Sequence, residues 1–233
     1  MPIFFPERVD HDLALLSKED SHHALRVLRL RLGSTVQAAW EGRRFAGELT
    51  QQNGLAAVRL KDELPSTEAS LRLTLYQGLP KGDKLEGVIR SATELGAAAI
   101  VPCLFSRCVA RAEAVQEGRK RERLLKIARE AAMLSYRTAL PEIGELLNFE
   151  ALCDALMSHQ LALVPWEEAD APLPAVPEGV TDIALVIGPE GGITAEEIKR
   201  LAAVPVSLGP RILRTETAGA AAMAMVMAKA GRC

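Results

Sequence analysis

Two stretches late in the chain carry the residues best arranged for chemistry. Leu185-Val-Ile-Gly-Pro-Glu-Gly-Gly-Ile-Thr194 and Leu208-Gly-Pro-Arg-Ile-Leu-Arg-Thr-Glu-Thr-Ala218 each place a glycine-bearing turn on the heel of a short apolar strand. The backbone of such a turn is bare and sits at the carboxyl end of a strand, where α/β sheets bind small ligands. Glu190 stands in the middle of the first turn, and no GxxxxGK[ST] lysine is present to neutralise a polyphosphate. An acid in that position suits a cationic or hydroxyl-bearing ligand. A second reading of Gly188, Gly191 and Gly192 is structural, since a tight strand-to-helix turn needs residues free to take a positive φ.

The elements that must hold these turns can be read from the hydrophobic pattern. Thr35–Trp40, Arg44–Thr50 and Leu55–Lys61 read as strands joined at Glu41-Gly42 and Gln52-Asn53-Gly54, a hairpin pattern. A short helix begun at Ser17 or Ser21 is expected between Leu13 and Leu32. The polar run from Lys61 to Ser70, which contains Pro65, reads as a linker. Beyond it strands and helices alternate. Leu71–Gln77, Ala97–Cys103, Leu161–Val164, Asp182–Ile187 and Val204–Leu208 are predicted strands. Helices are predicted from Asp83, with Glu86 three residues on, to Leu95, over Lys120–Tyr136, from the capping box Thr194-Ala-Glu-Glu197, and over Thr215–Lys229. This alternation predicts an α/β fold, a mostly parallel sheet with helices on both faces, behind a small β-rich unit. The last helix, Ala218 to Ala228, is apolar or small all round and is expected to be buried on every side. It would be either a core helix or a helix at a subunit interface or threaded through another part of the chain.

Composition narrows the partner. With 233 residues, 48% of them hydrophobic and 25% charged, the chain is an ordinary globular protein of one large or two modest domains. No apolar run reaches the roughly 18 residues of a membrane span. The opening Met1-Pro-Ile-Phe-Phe-Pro-Glu-Arg8 lacks a signal-peptide pattern. Cys103, Cys108, Cys153 and Cys233 fit no zinc spacing, so free thiols in a reducing cytoplasm and no metal are expected. The net charge of −2 hides an asymmetry: Glu142 to Glu197 holds twelve acids and no Lys or Arg, leaving 18 acids against all 28 bases elsewhere. The bases concentrate at Arg26, Arg29, Arg31, Arg43 and Arg44, and again from Arg107 through Arg111 and Arg119 to Arg137. Each run alone fits a solvated, ion-paired face. Two on an acidic chain point to a polyanion, most naturally nucleic acid.

Five motifs in order complete the pattern: His22-His-Ala-Leu-Arg-Val-Leu-Arg29, Lys81-Gly-Asp-Lys-Leu-Glu86, Thr93-Glu-Leu-Gly96, Ile187-Gly-Pro-Glu-Gly-Gly192 and Leu208 to Ala218. Together they resemble the bacterial 16S rRNA uridine-N3 methyltransferases of the SPOUT class, over the whole chain. The resemblance implies a PUA-like RNA-binding β-barrel at residues 1–69 and a methyltransferase domain at 70–233, whose chain is tied in a trefoil knot around 185–220. It also implies S-adenosylmethionine as methyl donor, a 16S rRNA or small-subunit substrate, and a cytoplasmic homodimer with active sites at the interface. Departures from the family pattern are Ser91 where a Lys is usual, Leu134 for a Gln and Leu124 for a Trp, while Glu130, Ser135, Arg137 and Pro141 are retained.

By this resemblance Ile187, Gly188, Pro189, Glu190, Gly191 and Gly192 form one wall of the cofactor pocket and Leu208, Gly209, Ile212 and Leu213 another, with Leu163-Val-Pro165 closing it. Methyl transfer needs alignment in a dry pocket and loss of the uracil N3 proton. Arg214 and Glu216 are the first candidates for that task, Glu216 having the alternative of complementing the helix dipole. Arg107 and Arg137 are candidate phosphate or base contacts. His22 and His23 are expected either at RNA or in capping and core roles, and Arg26, Arg29 and Arg31 at phosphates. Two other readings remain open at this point: methylation of a ribose 2′-hydroxyl, and a noncatalytic RNA-binding protein that has kept the fold.

Overall fold

The computed structural model describes residues 1–109 and 118–231; Arg111 lies outside them. The chain divides into two units, Met1–Glu68 with Glu130–Leu140, and Ala69–Arg129 with Pro141–Cys233.

The first unit holds a six-stranded sheet in the order β1-β4-β5-β6-β3-β2. Its strands are β1 (Ile3–Phe4), β2 (Arg8–Asp10), β3 (Leu13–Leu15), β4 (Thr35–Trp40), β5 (Arg43–Gln52) and β6 (Leu55–Leu64). Only β1 and β4 pair in parallel. The two expected hairpins form, and both turn residues of each take positive φ: Glu41 and Gly42, then Asn53 and Gly54. Those turns match the twist of the flanking strands. β6 runs on to Leu64, so the first part of the expected linker is strand. Leu13–Leu15 is also strand, because it zips against Ala57–Arg59 of β6. Helix α1 (Lys18–His22) then starts at Ser17, whose hydroxyl accepts the Asp20 N–H, and a π-helical turn, His23–Val27, follows. Phe4, Leu16, Val36, Leu49 and Val58 fill the core beneath.

The second unit is built on a sheet in the order β12-β10-β11-β7-β8-β9, parallel at every pairing. The strands are β7 (Arg72–Gly78), β8 (Ala99–Cys103), β9 (Glu142–Ile143), β10 (Leu161–Pro165), β11 (Asp182–Ile187) and β12 (Val204–Val206). The helices are α2 (Lys84–Glu94), α3 (Gly118–Leu134, whose last residues fall in the first unit), α4 (Phe149–Leu156), α5 (Ala195–Arg200) and α6 (Thr215–Ala230). Strand residues alternate faces, as the period of two requires. Leu73, Leu75, Ile183, Leu185 and Ile187 pack with α2 and α6, while Tyr76, Ala162, Val164, Ala184 and Val186 pack with α4 and α5. The expected parallel sheet with helices on both faces is therefore what forms.

Three local expectations are corrected, and one helix is new. Asp83 makes no side-chain cap to α2, and Glu86 pairs instead with Arg123. Helix α3 stops at Leu134, since Tyr136 takes a left-handed φ of 59°. Helix α4, capped by Asn148, had no sequence expectation. Helix α6 is not buried all round: Thr215, Gly219, Ala222, Met223, Val226 and Met227 face the core, whereas Thr217, Ala224 and Ala228 are exposed. It lies on one sheet face, and Gly219 lets it come down onto Gln77, Leu75 and Ile187. Of the three departures, Leu124 is buried, Ser91 bonds back to the Val88 carbonyl and Leu134 is 78% exposed.

Candidate cofactor cleft and active site

A cleft of about 580 Å³ opens at the carboxyl ends of β10 and β12, within the usual range for a small-molecule site. One wall is the second glycine turn, with Leu208, Gly209, Ile212 and Leu213 together with Pro210 and Arg211. The facing wall is the continuation of β10: Pro165, Trp166, Glu167 and Asp170. Gly209 has φ 113°, so the turn depends on glycine there, and its N–H donates to Ser207 Oγ at 3.2 Å. The Trp166 indole N–H donates to the Ile193 carbonyl at 3.2 Å, which fixes the ring against the far end of the first turn. Ile212 is 83% exposed on the rim.

The first glycine turn has a different place. None of residues 187–192 lines this cleft; the turn braces it. Gly192 N–H closes the loop onto the Pro189 carbonyl at 2.9 Å, and Gly192 takes φ 76°. A Cβ on Gly78 would lie 2.5 Å from the Pro189 nitrogen, so the loop crosses the end of β7 at a distance only glycine permits. Thr215 Oγ1 donates to the Gly188 carbonyl at 2.6 Å and receives the Gln77 amide at 2.8 Å. This bolt ties β7, β11 and the start of α6 together, and it leaves Gln77 Oε1 buried without a partner among the described residues. Ile187 and Leu163 have core side chains, 2% and 1% exposed, while Pro165, at the end of the expected Leu163-Val-Pro165 segment, lines the cleft together with Trp166.

Glu190 is paired within the chain. Its Oε1 accepts from Lys84 Nζ at 2.9 Å and from the Lys81 N–H at 3.1 Å. Burial pushes its carboxyl up, but Lys84 and that N–H more than offset this and hold it below the usual carboxylate range. Lys84 Nζ also lies 3.6 Å from Glu216 Oε2, so one ammonium serves an acid from each glycine turn. Glu216 thus faces Lys84, whereas Ala218 lines the cleft on the other side of the helix. Arg214 is the N-cap residue of α6, exposed and without a side-chain capping bond. The neighbouring helix α5 starts with the expected capping box, and Glu197 also receives the Ser106 N–H at 2.7 Å.

The expected RNA-contacting residues divide. In the first unit His22, Arg26, Arg29 and Arg31 are exposed and His23 half-buried, and Val27, Leu28 and Leu32 beside them are exposed too. Arg43 of the same basic group pairs with Glu63. Arg137 is corrected: it is 5% exposed, with its guanidinium held by Glu68 at 2.5 Å. In the second unit Arg107 is exposed, and its Nη1 donates to the Gly191 carbonyl at 3.1 Å. Trp166, Glu167, Asp170 and Lys84 were not singled out in the sequence. The signal was a third apolar strand of the same sheet, Leu161–Val164, ending in Pro-Trp-Glu-Glu168.

Residues 67–227 match the model of an RNA methyltransferase domain. The chain is 34% identical over 218 residues to the ribosomal RNA small subunit methyltransferase E of Bacillus subtilis, covering 87% of this chain and 85% of that protein. It is 33% identical to the protein of the same name from Synechocystis, over 96% of this chain and 75% of the relative. Among solved structures it superposes with TM-score 0.86 on a ribosomal RNA small subunit methyltransferase E from Neisseria gonorrhoeae bound to S-adenosyl methionine, at 28% identity over 98% and 97% of the two chains. A Legionella pneumophila putative methyltransferase with the bound cofactor SAM matches with TM-score 0.84 at 28% identity, over 97% and 96%. A strand-end cleft walled by a glycine turn, inside a domain that matches over most of the chain, has one family reading: this chain belongs to the ribosomal RNA small subunit methyltransferase E family.

Proposed function

We propose that this chain methylates N3 of a uridine in 16S rRNA with S-adenosylmethionine as donor. The observation that carries the reading is the cleft between the Leu208–Leu213 turn and Pro165–Asp170, on a chain whose similar structures hold that cofactor. The lining fits the group: bare turn backbone for hydrogen bonds, the Trp166 ring for an adenine face, and Asp170 near a sulfonium or a ribose diol. When bound, S-adenosylmethionine supplies an electrophilic methyl carbon. The chain's own task is to hold uracil N3 in line with that carbon, exclude water and accept the N3 proton.

The basic, partly apolar segment from His22 to Leu32 is proposed to hold RNA phosphates, with the first unit acting as a PUA-like module. Residues 185–220 are proposed to form the knotted cofactor loop. The exposed small-residue face of α6, with Thr217, Ala224 and Ala228, is proposed to meet a second copy in a cytoplasmic homodimer. The test is product analysis: incubation with small-subunit particles lacking the mark is expected to yield 3-methyluridine. A ribose-methylated nucleoside would overturn the N3 assignment, and absence of S-adenosylmethionine binding by calorimetry would overturn the enzymatic reading.

A further inference from the structure

The bare face of Gly192 has an acid and a base set against it. A methyl group placed on Gly192 would lie 2.8 Å from Glu167 Oε1 and 3.8 Å from Arg107 Nη1. The two side chains come from different strand ends, Glu167 two residues after β10 and Arg107 four residues after β8, and the missing Cβ of Gly192 makes room for both. Glu167 lines the cleft, is exposed, and has no hydrogen bond or ion pair among the described residues. Its role is therefore not to hold the fold. Arg107 is steadied by the Gly191 carbonyl at 3.1 Å, which leaves its other N–H groups for a ligand. A uracil ring presents, side by side, an N–H donor at N3 and carbonyl acceptors at O2 and O4. An unpaired carboxylate beside a fixed guanidinium is the complement of that edge.

We propose that Glu167 is the general base for the N3 proton and that Arg107 binds the adjacent carbonyl, where negative charge develops. In the step, the N3–H proton passes to the Glu167 carboxylate while the nitrogen's electron pair forms the bond to the methyl carbon. The carbon–sulfur bond breaks with its electron pair staying on sulfur, so a neutral thioether leaves and atoms and charge balance. The assignment displaces Glu216 from the catalytic role, since Glu216 faces Lys84, away from the cleft. It rests on the uridine-N3 reading above.

The test compares Glu167→Gln and Glu167→Asp with the unaltered protein in cofactor binding by calorimetry, RNA binding, and single-turnover methyl transfer. Glu167→Gln is expected to bind cofactor and RNA within about threefold of normal, yet to transfer methyl at least ~100-fold more slowly, the usual yield of a positioned base. Glu167→Asp, which keeps a carboxylate, is expected to retain more of the rate. RNA carrying 5-fluorouridine at the target, whose N3 proton is more acidic, is expected to narrow the Glu167→Gln deficit by about tenfold or more. A rate within threefold of normal, equal losses in Gln and Asp, a loss lying wholly in cofactor binding, or no narrowing by 5-fluorouridine each overturns the proposal. A ribose-methylated product from the unaltered protein instead refutes the N3 reading itself, whatever the variants do.

Discussion

Glu68 shows how a single carboxylate can settle what a sequence motif leaves open. Its oxygens accept from the Arg137 guanidinium and from the N–H groups of Thr138 and Ala139, at 2.8 Å for Thr138 and 3.2 Å for Ala139. Arg137 carried the expectation of a phosphate or base contact near the pocket. The same charge buried beside a carboxylate is a fastening for the loop that follows α3. Burial raises the Glu68 carboxyl, but Arg137 and the two N–H groups outweigh it, so its pKa lies below the usual carboxylate value. A depressed folded-state value means the stabilisation is complete above the unfolded value, about 4.3, and is lost as pH falls through the lower folded value. Glu68→Gln is expected to cost about 2–3 kcal/mol at neutral pH, at or below the low end for a broken buried pair because Glu68 keeps some contact with water. It should also flatten the acid side of the stability profile below about pH 4, as followed by urea denaturation across pH. A profile superimposable on that of the unaltered protein would show that the pair contributes nothing.

At the scale of elements, the sequence was legible where periodicity and turn chemistry agreed. Glu41-Gly42, Asn53-Gly54 and the Thr194/Glu197 capping box announced their structures because each local motif satisfies its own backbone. Leu13–Leu15 was not legible, since it is only three residues long and, of its two partner strands, β6 lies more than forty residues away with no register given by the sequence. The cleft was half legible. The Leu208–Leu213 wall was read from its bare turn, but the opposite wall reaches its place only because β10 lies between β11 and β12. The Glu190–Lys84 pair was not legible because the two residues lie 106 positions apart. In the His22–Leu32 segment Arg26, Arg29 and Arg31 are exposed after a π-helical turn, as the proposed phosphate contacts require. Replacing these three arginines with alanine is expected to weaken RNA binding without lowering the thermal midpoint. The slope of log affinity against log salt should shrink by roughly 0.7–0.9 for each phosphate the protein no longer neutralises. An unchanged slope in salt titrations would place the phosphates elsewhere.

For the whole molecule, helix α6 is the element on which the proposed dimer rests. Its sequence suggested burial on all sides, and the chain alone buries only one. The other face, with Thr217, Ala224 and Ala228, offers a surface on which a second backbone can lie close. If two copies meet there, Ala224→Glu is expected to shift the species seen by light scattering from dimer to monomer. Its circular dichroism should stay unchanged, because Ala224 touches no core of its own chain. A protein that is monomeric before the substitution, or dimeric after it, would remove α6 from the interface.

The bolt from Gln77 through Thr215 to Gly188 joins residues as much as 138 positions apart, and the chain crosses Gly78 at a separation that admits no side chain. Contacts this distant in sequence are slow to form, because the loop they close must lose its freedom before they reward it. The segment that walls the cleft, Leu208–Leu213, runs directly into the helix that carries Thr215. Ligand competence is therefore a report on the completion of folding. A chain in which that closure has failed can keep its hairpins and helices and still own no pocket, so cofactor affinity measured during refolding would follow a long-range tertiary event rather than local structure.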